Sequence, residues 1–378
     1  MPPDSDGRTT PSATPTAHQE IRDRDRRVVV KAAPFNAEAP LAALDEFITP
    51  IDDFYVRSNL PVPAFDQAAW RLRVDGLVER SMEVAIADLL AMPSRTLTCT
   101  LECAGNNRTR LVPLPDGEPW GSGAISTGTF TGVPLRHLFD LAGVRPDAAE
   151  VRFEGADRGV PRGRTETIGF ERSLPIADAL GADILLVHRM NDAPLTPEHG
   201  APLRLLVPGW YGMAAVKWLQ RIEVLARPLE AHFQTRQYRY YQDEPVGTMA
   251  APAVRTMRIN SMVSSPVSGD VIGLGPHEIR GAAWSGEAAI VAVEVSIDAG
   301  SWQAAELLGD PLPYAWRRWR FAWEGAPAGR HSIRSRATDA DGSMQPDRPG
   351  WNRLGYGNNA IAVTLVTVAD GRSSAPRN

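Results

Sequence analysis

The 378-residue sequence predicts an α+β domain followed by a β-sandwich. Three observations lead there. A chain this long exceeds what one hydrophobic core usually holds, so two domains are expected. Up to about residue 250, short helical and strand-like stretches mix without regular βαβ alternation, which favours α+β. Beyond that point, period-2 stretches alternate with turn residues at short intervals, the spacing of a sandwich.

Taken in order, the first twenty residues, MPPDSDGRTTPSATPTAHQE, are rich in Pro, Ser and Thr and nearly lack large apolar side chains. They predict a disordered tail, drawn here to residue 44. The stretch RDRDRRVVVKAAPF offers only three valines before Lys31, too few for a secretory apolar region and poor as a twin-arginine signal. A cytoplasmic protein is therefore expected. WRLRVDGLV (70–78) alternates like a half-buried strand, and MEVAIADLLAMP suggests a short helix stopped by Pro93. VPLRHLFDLAGV (133–144) has helical spacing and a Gly stop, whereas EVRFEG and ADILLVHRM are strand-like. APLRLLVPGWYGMAAVKWLQRIEVL (201–225) reads as strand, tight Gly turns, then strand. The first domain is drawn at 45–250, with the boundary inside PVGTMAAPAVRTM, and the sandwich at 257–368. In IVAVEVSIDAGSW, Val291, Val293, Val295 and Ile297 should share one face before a turn at Asp298–Gly300.

The net charge of −5, with 43% hydrophobic and 22% charged residues, is ordinary for a globular protein. It gives no reason to expect nucleic acid or an anionic membrane as partner. No run of about 18 apolar residues exists to span a bilayer.

Both cysteines of the chain lie in TLTCTLECAGNNR (96–108). Two cysteines exclude a disulfide framework and a four-thiolate zinc site. On a strand, Cys99 and Cys103 would sit roughly 13 Å apart on one face, beyond the ~7 Å a disulfide tolerates. Cys103 stands at the strand end, before a Gly turn and near Arg108, which would favour thiolate. A buried core thiol, a nucleophile and a soft-metal ligand all remain open on the residues alone.

LECAGNNR resembles the Cys-Ala-Gly-Asn-x-Arg segment of the sulfite oxidase family of molybdenum enzymes. Further blocks resemble that family in the right order: FYVRSNLPVP (54–63), WGSGAISTGTF (120–130), FEGAD (153–157), PEHGAPLRLLVPGWYGMAAVKWLQRI (197–222) and HFQTRQY (232–238). The region after Met257, with QPDRPGWNRLGYGNNA, resembles the family's immunoglobulin-like dimerisation domain. The resemblance covers about residues 45–368.

It implies a sulfite oxidase-type molybdopterin-binding domain, an immunoglobulin-like sandwich and a homodimer. Mo-molybdopterin is the implied cofactor, with Cys103 as the metal ligand; Cys99 has no implied role. Tyr55, Arg57, Ser58, Asn59, Asp157, His199, Arg204, Ala215, Val216 and Lys217 fall at implied cofactor positions. The family's first block usually reads Arg-Asn-His, and Arg57-Ser58-Asn59 departs from it. Arg57, Arg108 and Trp120 match the implied substrate pocket, and Tyr238 matches a tyrosine beside the metal. Arg353, one position earlier than a third family arginine, is expected to reach that pocket too. The implied reaction is oxidation of sulfite to sulfate by oxygen-atom transfer. No cytochrome b5-like His-Pro-Gly-Gly segment occurs, so electrons should pass to dioxygen or a separate cytochrome. Nitrate or an organic S-oxide as substrate, or a cofactor-free dimeric interaction protein, are the competing expectations.

Overall fold

A computed structural model describes residues 26–370 apart from residue 65. Of the tail expected to residue 44, residues 1–25 lie outside the described residues, and the rest is folded. Val28–Lys31 pairs antiparallel with Asn36–Glu38, and Asn36, Ala37 and Glu38 are buried. Ala37 and Val56 exchange two backbone hydrogen bonds (3.0 and 2.9 Å), which fastens this hairpin to the chain just before Arg57. Three valines are too short a run to register as a periodic strand, yet tertiary pairing satisfies their backbone groups.

Two sheets form the first domain. One is antiparallel, in the order Ala193–Pro194, Leu185–Met190, Ile125–Pro134, Arg95–Glu102, with Arg204–Leu206 also pairing with Leu185–Met190. The other runs Met82–Ala85, Arg71–Gly76, Leu219–Leu225, Glu150–Gly159, Ile168–Pro175, and its Arg71–Gly76/Leu219–Leu225 pair is parallel. The expected strands are present. Helix content is smaller than α+β suggests: Ile86–Leu90, Leu135–Ala142 and Ile176–Ala179 are the α-helices among the described residues. Leu135–Ala142 buries Leu135, Leu138, Phe139 and Ala142 and ends at left-handed Gly143 (φ 71°). Pro134 before it and Gly143 after it leave room for about two turns, so the apolar stripe cannot extend.

The second region packs two sheets face to face around Ile279, Val293, Val295, Trp319, Ile333 and Val366. One sheet orders Asn260–Ser265, Gly275–Trp284, Arg317–Ala326, Glu306–Leu308; the other orders Val271–Ile272, Val363–Val368, Gly329–Asp339, Ile290–Ile297, Gln303–Ala304. Val293 and Val295 point inward as expected, but Val291 is 54% exposed. The register slips between Ile290 and Ala292, and this bulge turns Val291 out while burying Ile290. The boundary segment is embedded, with Ala251, Val254 and Met257 buried. Trp284, Trp316 and Tyr356 extend the first domain's core into the second. No helix among the described residues is long and apolar enough to cross a membrane.

Candidate functional site

Strand Arg95–Glu102 carries the chain to Cys103 at its end. There Cys103 N donates to the Ala124 carbonyl (2.8 Å) and Asn106 N donates to the Cys103 carbonyl (2.8 Å). These backbone bonds fix the turn that the Ala-Gly-Asn-Asn sequence makes, and left-handed Asn107 (φ 62°) leads into a 3₁₀ turn at Arg108–Arg110. Both thiols are unpaired. Cys99 faces the core and burial pushes it up to about 12, so it is a packing residue. Burial also pushes the Cys103 thiol up, with Arg57 and Arg108 pulling the other way.

Cys103 lies where two cavities meet. One, termed the deeper cavity, is lined by Tyr55, Arg57, Ser58, Asn59, Asp157, His199, Arg204, Ala215, Lys217 and Tyr238, among others. The other, termed the outer cavity, is lined by Arg57, Asn59, Arg108, Trp120, Tyr238 and Tyr356, with Lys31 and Arg162 also on its wall. Cys103, Arg57, Asn59 and Tyr238 line both. Nearly every expected site residue is thus brought together. Val216 is the exception at the deeper cavity: it is buried in the core, where its carbonyl accepts from Leu205 N (2.8 Å). Arg353 is the exception at the outer one. Its side chain is exposed and lines neither cavity, while its backbone N donates to the Tyr241 carbonyl (2.7 Å). The one-position slip in WNRLG turns it outward, and Tyr356 is what this segment delivers to the site.

Asn36, in the segment expected to be tail, organises the first block. Its Oδ1 accepts from Arg57 Nη1 (3.1 Å) and from Ser58 N (2.9 Å). Arg57 also donates to Asn59 Oδ1 (2.6 Å), and Asn59 Nδ2 donates to the Tyr238 hydroxyl (2.9 Å). Asn59, the departure from the family pattern, therefore couples the arginine to the tyrosine. Lys217 Nζ donates to Ser58 Oγ (3.0 Å) and the Glu198 carbonyl (2.7 Å), and Arg204 donates to the His199 carbonyl (3.1 Å).

The deeper cavity holds an excess of buried cationic groups. Burial, then neighbouring Arg204, pushes Lys217 down to about 7. Burial pushes Arg204 down to about 10, and burial with Lys217, Arg204 and Arg27 holds His199 well below its ordinary value. Asp157 is pushed up to about 7 by burial against the pull of Lys217, and its Oδ1 is buried with no partner; Arg204 Nε is likewise orphaned. Buried unpaired charge costs several kcal/mol per ion, and an orphaned buried acceptor about 1–3. An anionic ligand with its own N–H donors relieves both. Among the described residues no group of three or more His, Cys, Asp or Glu could hold a metal ion. A soft metal on Cys103 thus needs further donors from an organic group. The donor set fits a phosphate-bearing pterin dithiolene that brings its own sulfurs.

The outer cavity is set by Arg108. Its guanidinium donates to the Leu354 carbonyl (3.0 Å) and the Glu118 carbonyl (2.6 Å) and lies 5.3 Å from the centre of the Tyr356 ring. A Cβ at Gly105 would stand 2.6 Å from both terminal nitrogens of Arg108, so glycine in the CAGNNR turn is what lets the guanidinium lie there. Gly105→Ala is expected to weaken the binding of an oxyanion probe at this cavity at least about threefold, part of one charged hydrogen bond, without unfolding the protein. Titration calorimetry with sulfate checks this, and wild-type affinity would mean that an anion does not meet Arg108 in its present pose.

Residues 59–233 match the oxidoreductase molybdopterin binding domain, and residues 251–368 match the Mo-co oxidoreductase dimerisation domain. The chain is 36% identical to the mitochondrial sulfite oxidase of Mus musculus, over 97% of this chain and 70% of that protein. It is 32% identical to a nitrate reductase of Phaseolus vulgaris, over 86% of this chain but 40% of that protein. Among solved structures, the sulfane dehydrogenase SoxCD of Paracoccus pantotrophus superposes with a TM-score of 0.79 at 29% identity, covering 96% of this chain and 93% of that one.

Proposed function

Because the chain belongs to the sulfite oxidase family of molybdopterin-dependent oxidoreductases, we propose that it oxidises sulfite to sulfate and passes the electrons to an external acceptor. It is an enzyme, and its cofactor is Mo-molybdopterin, so the cofactor-free alternative falls. The observation that carries the proposal is Cys103 at the junction of a deep cationic cavity and an outer one walled by arginine and aromatic side chains.

Tyr55, Arg57, Ser58, Asn59, Asp157, His199, Arg204, Ala215 and Lys217 would hold the cofactor, and Cys103 its molybdenum. When bound, the cofactor supplies two-electron oxygen-atom transfer to the substrate's sulfur. The chain's own residues bind and orient the anion. Arg57 and Arg108 carry planar guanidinium forks, which suit oxyanions bidentately. Trp120 is buried and closes one wall. Tyr238 is held by Asn59 and by stacking on Tyr356 (ring centres 5.3 Å apart), which leaves it little freedom at the rim of the reaction site. Such preorganised positive charge favours a dianionic product without reorganisation. The second region, read as an immunoglobulin-like sandwich, would pair two copies into a homodimer.

Nitrate and sulfane sulfur compete with sulfite, given the reductase relative and the dehydrogenase neighbour. Steady-state assays of purified holoenzyme with each substrate and a panel of acceptors decide among them. Sulfite should be preferred in kcat/KM by about 100-fold or more. Nitrate reduction with no sulfite oxidation would overturn the proposal.

A further inference from the structure

We propose that Tyr356, supplied by the C-terminal region, is a substrate-binding residue whose phenol donates a hydrogen bond to the oxyanion in the outer cavity. The inference rests on the oxyanion chemistry proposed above and adds a residue to it, from the same segment in which the sequence pointed to Arg353.

The loop around Tyr356 is built to present it. Gly355 (φ 62°) and Gly357 (φ 63°) flank it in the left-handed region. A Cβ on Gly355 would stand 2.9 Å from Arg108 Cγ, and one on Gly357 2.9 Å from the Tyr240 hydroxyl. Both glycines are therefore demanded by conformation and by space. The loop is pinned onto the Cys103 turn from both sides. Gly357 N donates to the Ala104 carbonyl (2.7 Å), Asn358 Nδ2 to the Asn107 carbonyl (2.8 Å), and Arg108 Nε to the Leu354 carbonyl (3.0 Å). Asn352 exchanges two hydrogen bonds with the backbone of Tyr356 (2.8 and 3.0 Å).

The ring so held lines the outer cavity beside Arg57, Arg108, Trp120 and Tyr238. Two neighbours hold the ring: it stacks on Tyr238 at an interplanar angle of 30°, and the Arg108 guanidinium lies over it, 5.3 Å from its centre. Its hydroxyl makes no hydrogen bond among the described residues, whereas the Tyr238 hydroxyl is bound to Asn59. The ring is buried, but the hydroxyl is open to the cavity, where it can donate to whatever acceptor occupies that space. Burial, with Tyr238 and Cys103, holds this phenol well above the ordinary tyrosine value, so it stays a donor throughout the working pH range. An oxyanion offers only acceptors, and Tyr356 is an open donor on the same wall as the two guanidiniums. Because the donor is neutral, it adds affinity and direction without adding charge.

Tyr356→Phe keeps the ring, its stacking and its place beneath Arg108, and removes only the hydroxyl. In the holoenzyme it is expected to raise KM for sulfite about tenfold, with a smaller change in kcat, and to weaken sulfate binding by a similar factor in titration calorimetry. A residue that merely supports Tyr238 and Arg108 would leave both constants unmoved in the Phe variant and would shift them only in Tyr356→Leu, which loses the ring. Wild-type KM and sulfate affinity in Tyr356→Phe would overturn the inference while leaving sulfite oxidation standing. A wild-type holoenzyme that neither oxidises sulfite nor binds sulfate would overturn both.

Discussion

Cys103→Ser should lose sulfite turnover by at least about a thousandfold, a barrier increase near 4 kcal/mol, while fold and pterin content stay at wild-type levels. Serine is nearly the same size, and the turn is held by the backbone bonds of Cys103 to Ala124 and Asn106, which the change does not touch. The groups proposed to hold the pterin and its phosphate, Arg204, Lys217, His199 and Asp157, lie around the deeper cavity and owe nothing to the sulfur. What disappears is the thiolate donor, and a serine hydroxyl offers at most an oxygen in its place, which changes the donor set around the metal. Turnover, pterin content and thermal melting of the same preparation separate these effects. Wild-type turnover in the variant would refute the assignment of Cys103.

The second large effect belongs to Arg108. Arg108→Gln should raise KM for sulfite at least about tenfold, since a hydrogen bond to a charged group is worth roughly 1.5–3 kcal/mol. Glutamine is shorter and uncharged, so it cannot both reach the cavity and keep the bonds to Leu354 and Glu118 that orient the guanidinium. Losing the Leu354 bond also removes a tie between the two regions, so melting should be measured alongside. The KM of wild type should climb with ionic strength more steeply than that of the variant, because one screened cation is gone. An unchanged KM would mean that Arg108 serves the interface alone.

Much of this site was legible because its residues come in short blocks that resemble the family's blocks in the same order. TLTCTLEC alternates like a strand, and the strand does run Arg95–Glu102, with Cys103 the residue that follows it. EHGAPLR and AAVKW put His199, Arg204 and Lys217 around the deeper cavity as expected. What stayed hidden depends on tertiary pairing. Asn36 positions Arg57 and Ser58, but it sits in a hairpin whose strands, Val28–Lys31 and Asn36–Glu38, are too short to show a period. Arg353 was expected in the pocket because it stands one position from a third arginine of the family it resembles, but a one-residue slip in an extended segment reverses the side chain. The useful signal was three residues further along, at Tyr356 in Gly355-Tyr356-Gly357, where two glycines bracket a single aromatic residue. Val291 shows the same limit in the sandwich, since a bulge is invisible to a strict two-residue period.

X-ray absorption at the molybdenum edge of matured wild-type protein and of Cys103→Ser tests the bond on which the site is built. The wild-type spectrum should contain one sulfur donor more than the variant. Equal sulfur counts in the two spectra, or molybdenum missing from fully matured wild type, would contradict it.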